Sequence, residues 1–172
     1  MAHSIVVADT SVLINFLKID AMSLIGRFPG RLLATDHVEA EIASDYPEQQ
    51  ARYAAALKAG SLDSCTVTDP VEVSAFLSLY PGVHLGAGEC SAIAVALTRG
   101  HAIAIDDKRA IRAAERAAEI AGVVLAVLRT RDIIVLLIRA GVLAVEQADA
   151  IKKDWEEQHR FRLAVRSFGD LL

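Results

Sequence analysis

Short apolar runs alternate along this chain with longer stretches of helical spacing. Residues 4–8 (Ser-Ile-Val-Val-Ala) read as a first strand, ended by Asp9. Val12, Leu13, Phe16 and Leu17 then recur on one helical face, with Thr10 or Ser11 placed to cap that helix. Residues 21–28 predict a second short helix, stopped at Pro29-Gly30. Residues 31–35 predict a second strand, and Asp36 can cap the helix that carries Glu39 and Glu41. A polar, Ala-rich helix is expected from about Pro47 to Ala59, closing at Gly60. Residues 64–67 predict a short strand. Pro70 suits the first position of the next helix, with Val73, Phe76 and Leu77 facing inward.

Leu85-Gly86-Ala87-Gly88-Glu89 predicts a tight loop opening a helix, whose Cys90, Ile93, Ala94 and Leu97 form an apolar stripe. Gly100 ends that helix. A strand over 102–105 runs into Asp106-Asp107, then a helix reaches about Ala121 and stops at Gly122, where residues 122–127 begin another strand. This βαβ alternation predicts an α/β fold, a three-layer α/β/α arrangement with a mostly parallel central sheet. From Thr130 the pattern changes to two helices, about 130–140 and 145–158, which form a C-terminal helical extension. For Phe161, Leu163, Val165 and Phe168 the periodicity allows either a short edge strand or a final helix.

Composition narrows the class. A chain of 172 residues fits a single domain with a sizeable core, and 53% hydrophobic residues with only 5% aromatics argue for helices covering a buried sheet. No apolar run reaches the roughly 18 residues that suggest a membrane span. The strongest run, residues 133–138, is closed off by Arg131, Asp132 and Arg139, and reads as core packing ahead of a dimer interface. No basic patch precedes the first apolar run, so a signal peptide is not expected. Cys65 and Cys90 alone make neither a disulfide framework nor a zinc motif, so the cytoplasm is the expected setting. The net charge of −4 is uneven: residues 1–98 carry 5 Lys and Arg against 11 Asp and Glu, while residues 99–172 carry 13 against 11. A more basic half facing an acidic site would suit a phosphodiester substrate, although solvated helix faces explain the charge alone.

The placement of the acids carries the chemistry. Asp9, and Asp106 with Asp107, follow two predicted strands, and parallel strands share one carboxyl edge where ligands bind. Glu41 and Glu89 lie in helical segments between them. Carboxylates gathered at one place repel unless cations neutralise them, which points to a divalent-metal site. Each acid alone has an ordinary reading as a cap or a helix-start residue favoured by the dipole, so the joint arrangement is the argument. Glu39 and Glu41 are roughly 200° apart on a helix and flank the face set by Val38 and Ile42, so helical geometry does not choose between them. His37, His84 and His101 read as solvated or structural. Thr10 and Ser11 lack a His/Asp partnership for nucleophilic catalysis and are expected to support Asp9 or a phosphate. Lys108, Arg109 and Arg112 are candidates for contact with a nucleic-acid backbone, and Trp155 and Phe161 for packing.

Three stretches resemble the PIN domain, the metal-dependent ribonuclease fold that includes many VapC-type toxins. Ile5-Val6-Val7-Ala8-Asp9-Thr10-Ser11 resembles its opening strand and first acid, and Leu85-Gly86-Ala87-Gly88-Glu89-Cys90-Ser91 its central acid. Ile103-Ala104-Ile105-Asp106-Asp107-Lys108-Arg109 resembles its later acids. The helix Asp36-His37-Val38-Glu39-Ala40-Glu41-Ile42 matches a second-acid helix in which Glu precedes an aliphatic residue, which favours Glu41. The resemblance covers about residues 4–128, leaving 129–172 as the extension of a single PIN-like domain. It implies an endoribonuclease in which Asp9, Glu41, Glu89 and Asp107, with Asp106 as helper, hold one or two Mg²⁺ or Mn²⁺ ions. Water made acidic by the ion would attack phosphorus, with Thr10 or Ser11 orienting it or Asp9. Where the family often has Thr or Ser ahead of its last acid, this chain has Ile105-Asp106 ahead of Asp107. The implied partners are RNA, a cognate antitoxin if the chain is the toxin of such a pair, and a second copy in a homodimer; no membrane is implied. Two other readings compete. A haloacid-dehalogenase-like phosphatase needs a second Asp where Ser11 stands, and a non-catalytic PIN-like module would bind RNA or protein without turnover.

Overall fold

The computed structural model describes residues 5–80 and 84–172; Ser4 of the predicted first strand lies outside them. Five strands form one all-parallel sheet among the described residues: β1 Ile5–Ala8, β2 Arg31–Thr35, β3 Asp63–Cys65, β4 Ala102–Ala104 and β5 Val127–Leu128. Their order is β3-β2-β1-β4-β5, so β1 sits centrally between β2 and β4. The pleat sends successive residues to opposite faces. Val6 and Ala8 enter one apolar layer and Val7 the other; Ala102 and Ala104 likewise part from Ile103 and Ile105.

The first layer holds α1 Thr10–Lys18, α2 Met22–Ile25, α3 Asp36–Asp45, α4 Pro47–Lys58, α8 Thr130–Arg139 and α9 Val145–Gln158. The second holds α5 Pro70–Leu79, α6 Ala87–Arg99 and α7 Lys108–Ala121. The expected three-layer α/β/α fold is therefore present. Ile133, Ile134 and Leu137 are fully buried in the same layer as Phe16 and Leu13, so the 133–138 run is core. No helix among the described residues is long and apolar enough to cross a membrane.

Several expectations shift, each for a local reason. Asp9, rather than Thr10 or Ser11, caps α1, and Thr35, rather than Asp36, caps α3, because these residues have the extended backbone a cap requires. On α5, Leu77 is 56% exposed while Glu72 is buried, since Glu72 forms a two-pronged ion pair with Arg99 of α6. Residues 123–126 do not form the expected strand: of the run through Leu128 only Val127 and Leu128 pair with β4, and Val123 and Val124 are exposed. The strand after α4 is Asp63–Cys65 and stops short of Val67. The tail from Phe161 forms neither strand nor α-helix, ending in a short 3-10 helix, Phe168–Leu171. Its Phe168 is fully buried.

Candidate active site at the strand carboxyl edge

The end of β1 delivers Asp9 to the middle of the sheet edge, where its N–H bonds to the Ala104 carbonyl of β4 at 2.9 Å. As the cap of α1, its Oδ2 accepts from Ser11 N at 3.1 Å and from Ser11 Oγ at 2.7 Å. Ser11 Oγ in turn accepts from Asp106 N at 3.3 Å, tying the β1 and β4 ends together. Asp9 is 1% exposed, and no donor among the described residues reaches its buried Oδ1. Burial, aided by the charge of Glu89, pushes its carboxyl up to about 6 against the opposing Ser11 bonds.

Glu41 arrives from α3. Its Oε2 accepts from Thr10 Oγ1 at 2.7 Å and its Oε1 from Gly88 N at 2.7 Å. Glu39 is exposed on the other flank of the helix, where its charge is felt by Tyr53 of α4. The choice that helical spacing left open is thus made by packing: of the two, Glu41 is at the sheet edge with Asp9's neighbours. Close approach depends on the glycines. Helix α6 starts at Ala87, so Gly88 lies in its first turn rather than in a loop. A Cβ on Gly88 would collide with the Glu41 carboxylate, and one on Gly86 would stand 2.9 Å from Glu41 Oε1. Alanine is the better helix former by about 1 kcal/mol. Gly88→Ala is nevertheless expected to lower stability by about 1–3 kcal/mol through this overlap, read as an earlier urea midpoint; an unchanged midpoint would mean Glu41 is free to move aside.

Glu89, in the first turn of α6, turns back so that Oε2 accepts from Gly86 N at 2.9 Å. Its carboxyl is raised, first by burial and then by the charges of Asp107 and Glu41. Together with the Glu89 influence on Asp9, this makes Glu89 the electrostatic centre of the four acids. Asp107 caps α7, its Oδ1 accepting from Arg109 N at 2.7 Å and Ala110 N at 3.1 Å. Burial works against it, but these bonds and the Arg109 charge together hold its carboxyl below the ordinary value. Lys108 and Arg109 are exposed at the start of α7.

Asp106 turns away from this group. Its Oδ1 accepts from Thr130 N at 2.9 Å, and its Oδ2 from Thr130 Oγ1 at 2.6 Å and Asn15 Nδ2 at 3.1 Å. Burial raises its carboxyl and the Thr130 bonds oppose the rise. Asn15 and Thr130 were missed in the sequence. Asn15 was visible only as a polar residue inside the apolar α1, and Thr130 only as the first residue of α8. Trp155 Nε1 donates to the Asn15 carbonyl at 2.7 Å, linking α9 to the same support.

The acids share a pattern that suits a cation. Asp9, Glu89 and Asp107 each use one oxygen to accept the bonds that fix the side chain, and these bonds engage only Oδ2, Oε2 and Oδ1 respectively. The second oxygen of each is left for a ligand, and in Asp9 it is a buried acceptor without a donor, which is costly unless a cation or proton meets it. Among the described residues no three Asp, Glu, His or Cys side chains stand close enough together to hold a metal ion as they are placed.

A family model described as PIN domain matches residues 5–165, past the residue 128 at which the sequence resemblance ended and through most of the C-terminal helices. No curated protein matches the chain.

Proposed function

The chain belongs to the PIN-domain family, whose members are generally nucleases, and on that premise we propose that it is a divalent-metal-dependent endoribonuclease. The observation that carries this reading is the buried, donorless Oδ1 of Asp9 within an edge that also holds Glu41, Glu89 and Asp107. Asp9, Glu89 and Asp107 would hold Mg²⁺ or Mn²⁺ through their second oxygens, while Glu41, whose two oxygens already accept from Thr10 and Gly88, would add its negative charge beside them. When bound, such an ion neutralises phosphate charge and makes water acidic enough to hydrolyse a phosphodiester near neutral pH. The chain's own groups do the rest. Thr10 and the Gly88 amide hold Glu41, Ser11 fixes the Asp9 rotamer, and Lys108 and Arg109 contact phosphates of the RNA. Asp106 acts as a brace, clamping the β4 end to α8 and α1 rather than ligating.

A toxin role within a toxin–antitoxin pair is a finer reading of the same nuclease, supported by the family resemblance. It requires a cognate antitoxin, and a neighbouring gene for a small DNA-binding protein with a disordered tail would support it.

The test is incubation of purified protein with a mixed RNA pool in Mg²⁺ or Mn²⁺, beside the same protein in chelator and an identically prepared Asp9→Asn variant. Metal-dependent cleavage that the variant lacks is expected. Equal cleavage by variant and parent would point to contamination or a wrong site, and metal binding without cleavage by either would favour a binding module.

A further inference from the structure

Three aromatic rings form a near-parallel ladder beside the carboxylates. The His37 and Phe76 rings are 4.8 Å apart at 4°, and Phe76 and Tyr80 are 5.4 Å apart at 21°. His37 lies one helical turn before Glu41 on α3, so residues on that face are neighbours and one end of the ladder stands beside the acids. The other end, Tyr80, follows the last residue of α5 and is 51% exposed. Core formation does not require that ring at the surface, because the adjacent Leu79 is the residue α5 buries at this end.

The sheet order sets the direction. β2, which leads into α3 and His37, is on one side of β1; β4, which leads to Lys108 and Arg109, is on the other. Asp9 at the end of β1 therefore lies between an aromatic flank and a cationic flank. A single nucleic-acid strand needs this combination, cations for its phosphates and ring faces for its bases, whereas a duplex keeps its base faces stacked on one another.

We propose that His37, Phe76 and Tyr80 form a base-stacking subsite for an unpaired nucleotide further along the strand from the carboxylates, with Tyr80, the outermost ring, as the face the base meets. The substrate is then RNA whose bases are exposed, and this inference rests on the nuclease reading above.

The experiment measures binding of a short labelled single-stranded RNA by fluorescence anisotropy in Mg²⁺, using Asp9→Asn protein so that cleavage does not intervene. Adding Tyr80→Ala is expected to weaken binding roughly tenfold, within the range for loss of one base–aromatic stack. Tyr80→Phe keeps the ring face and should bind like the parent, while thermal melting checks that each variant is folded. An oligonucleotide with abasic sites along the same backbone should bind equally weakly to all three. No change with Tyr80→Ala, or the same loss on the abasic strand, overturns the subsite and leaves the ladder to a protein partner. If Tyr80 affects binding as expected but parent protein cuts no RNA, the nuclease reading fails and the subsite stands. If the parent cuts RNA and Tyr80→Ala binds unchanged, the subsite alone fails.

Discussion

Asp9→Asn is expected to raise the melting temperature of the metal-free protein while lowering RNA cleavage on the order of 1,000-fold, the scale of losing a preorganised charge-stabilising group. Both effects come from one buried carboxylate. Its pKa is 3.8 when unperturbed and about 6 in the fold, raised first by burial. Between these values the native state holds a proton that the unfolded chain has released. Stability therefore falls as pH rises through that window, and the full penalty is present above about pH 6. The shift corresponds to about 3 kcal/mol at neutral pH. Asn removes the charge, keeps an oxygen for Ser11 and remains a good helix cap, so about 1–3 kcal/mol should be recovered. The gain should be visible at pH 7.5 and vanish near pH 4, where Asp9 is largely protonated in the native protein. Adding Mg²⁺ or Mn²⁺ should reverse the order, because binding stabilises only a protein that has the site. Thermal melts of both proteins, with chelator and with metal, check this. A metal-free variant less stable than its parent at pH 7.5 would mean the Asp9 charge is already compensated within the protein.

Trp155→Ala is expected to cost about 3–5 kcal/mol, the usual loss for a large aromatic removed from a core. Trp155 is fully buried and meets Phe16 edge-on at 5.6 Å and Phe161 at 5.5 Å. Its indole N–H also bonds the carbonyl of Asn15, whose side chain holds Asp106. The residue thus joins α9 to α1 and, through Asn15, to the β4 end. Trp155→Phe keeps most of the packing and loses the hydrogen bond, so a smaller loss of about 1 kcal/mol is expected. Urea unfolding would measure both. A loss under 1 kcal/mol for Trp155→Ala, with a separate early transition, would show that the C-terminal helices melt independently of the sheet.

Where signals are local, the chain could be read closely. Helix α7 runs from the residue after Asp107 to Ala121, as its alternation and Gly122 indicate; Gly122 takes the left-handed conformation (φ 66°) that ends the helix. Strand β2 matches its apolar run residue for residue. Misreadings fall where a partner decides. Val123 and Val124 look like strand residues, but a strand needs a neighbour, and of this segment only Val127 and Leu128 pair with β4. Leu77 has the spacing of an inward residue, but α5 buries Glu72 instead, because Arg99 lies across the α5–α6 contact and makes that burial tolerable.

The sequence by itself determined that acids follow two parallel strands, that helices alternate with them, and that Asp9 and the Asp106-Asp107 pair stand at one edge. These follow from periodicity and from the rule that parallel strands end together. Between neighbours of the same chemistry the family resemblance favoured Glu41 and Asp107, and only the tertiary structure supplied a physical reason. Glu41, rather than Glu39, reaches Thr10 and Gly88, because α3 packs against α1 and α6 on that flank. Asp107 keeps an oxygen free while Asp106 spends both on Thr130 and Asn15, partners 24 and 91 residues away. Which way a carboxylate faces depends on donors brought close by folding, and no local pattern in a chain records where those donors will be.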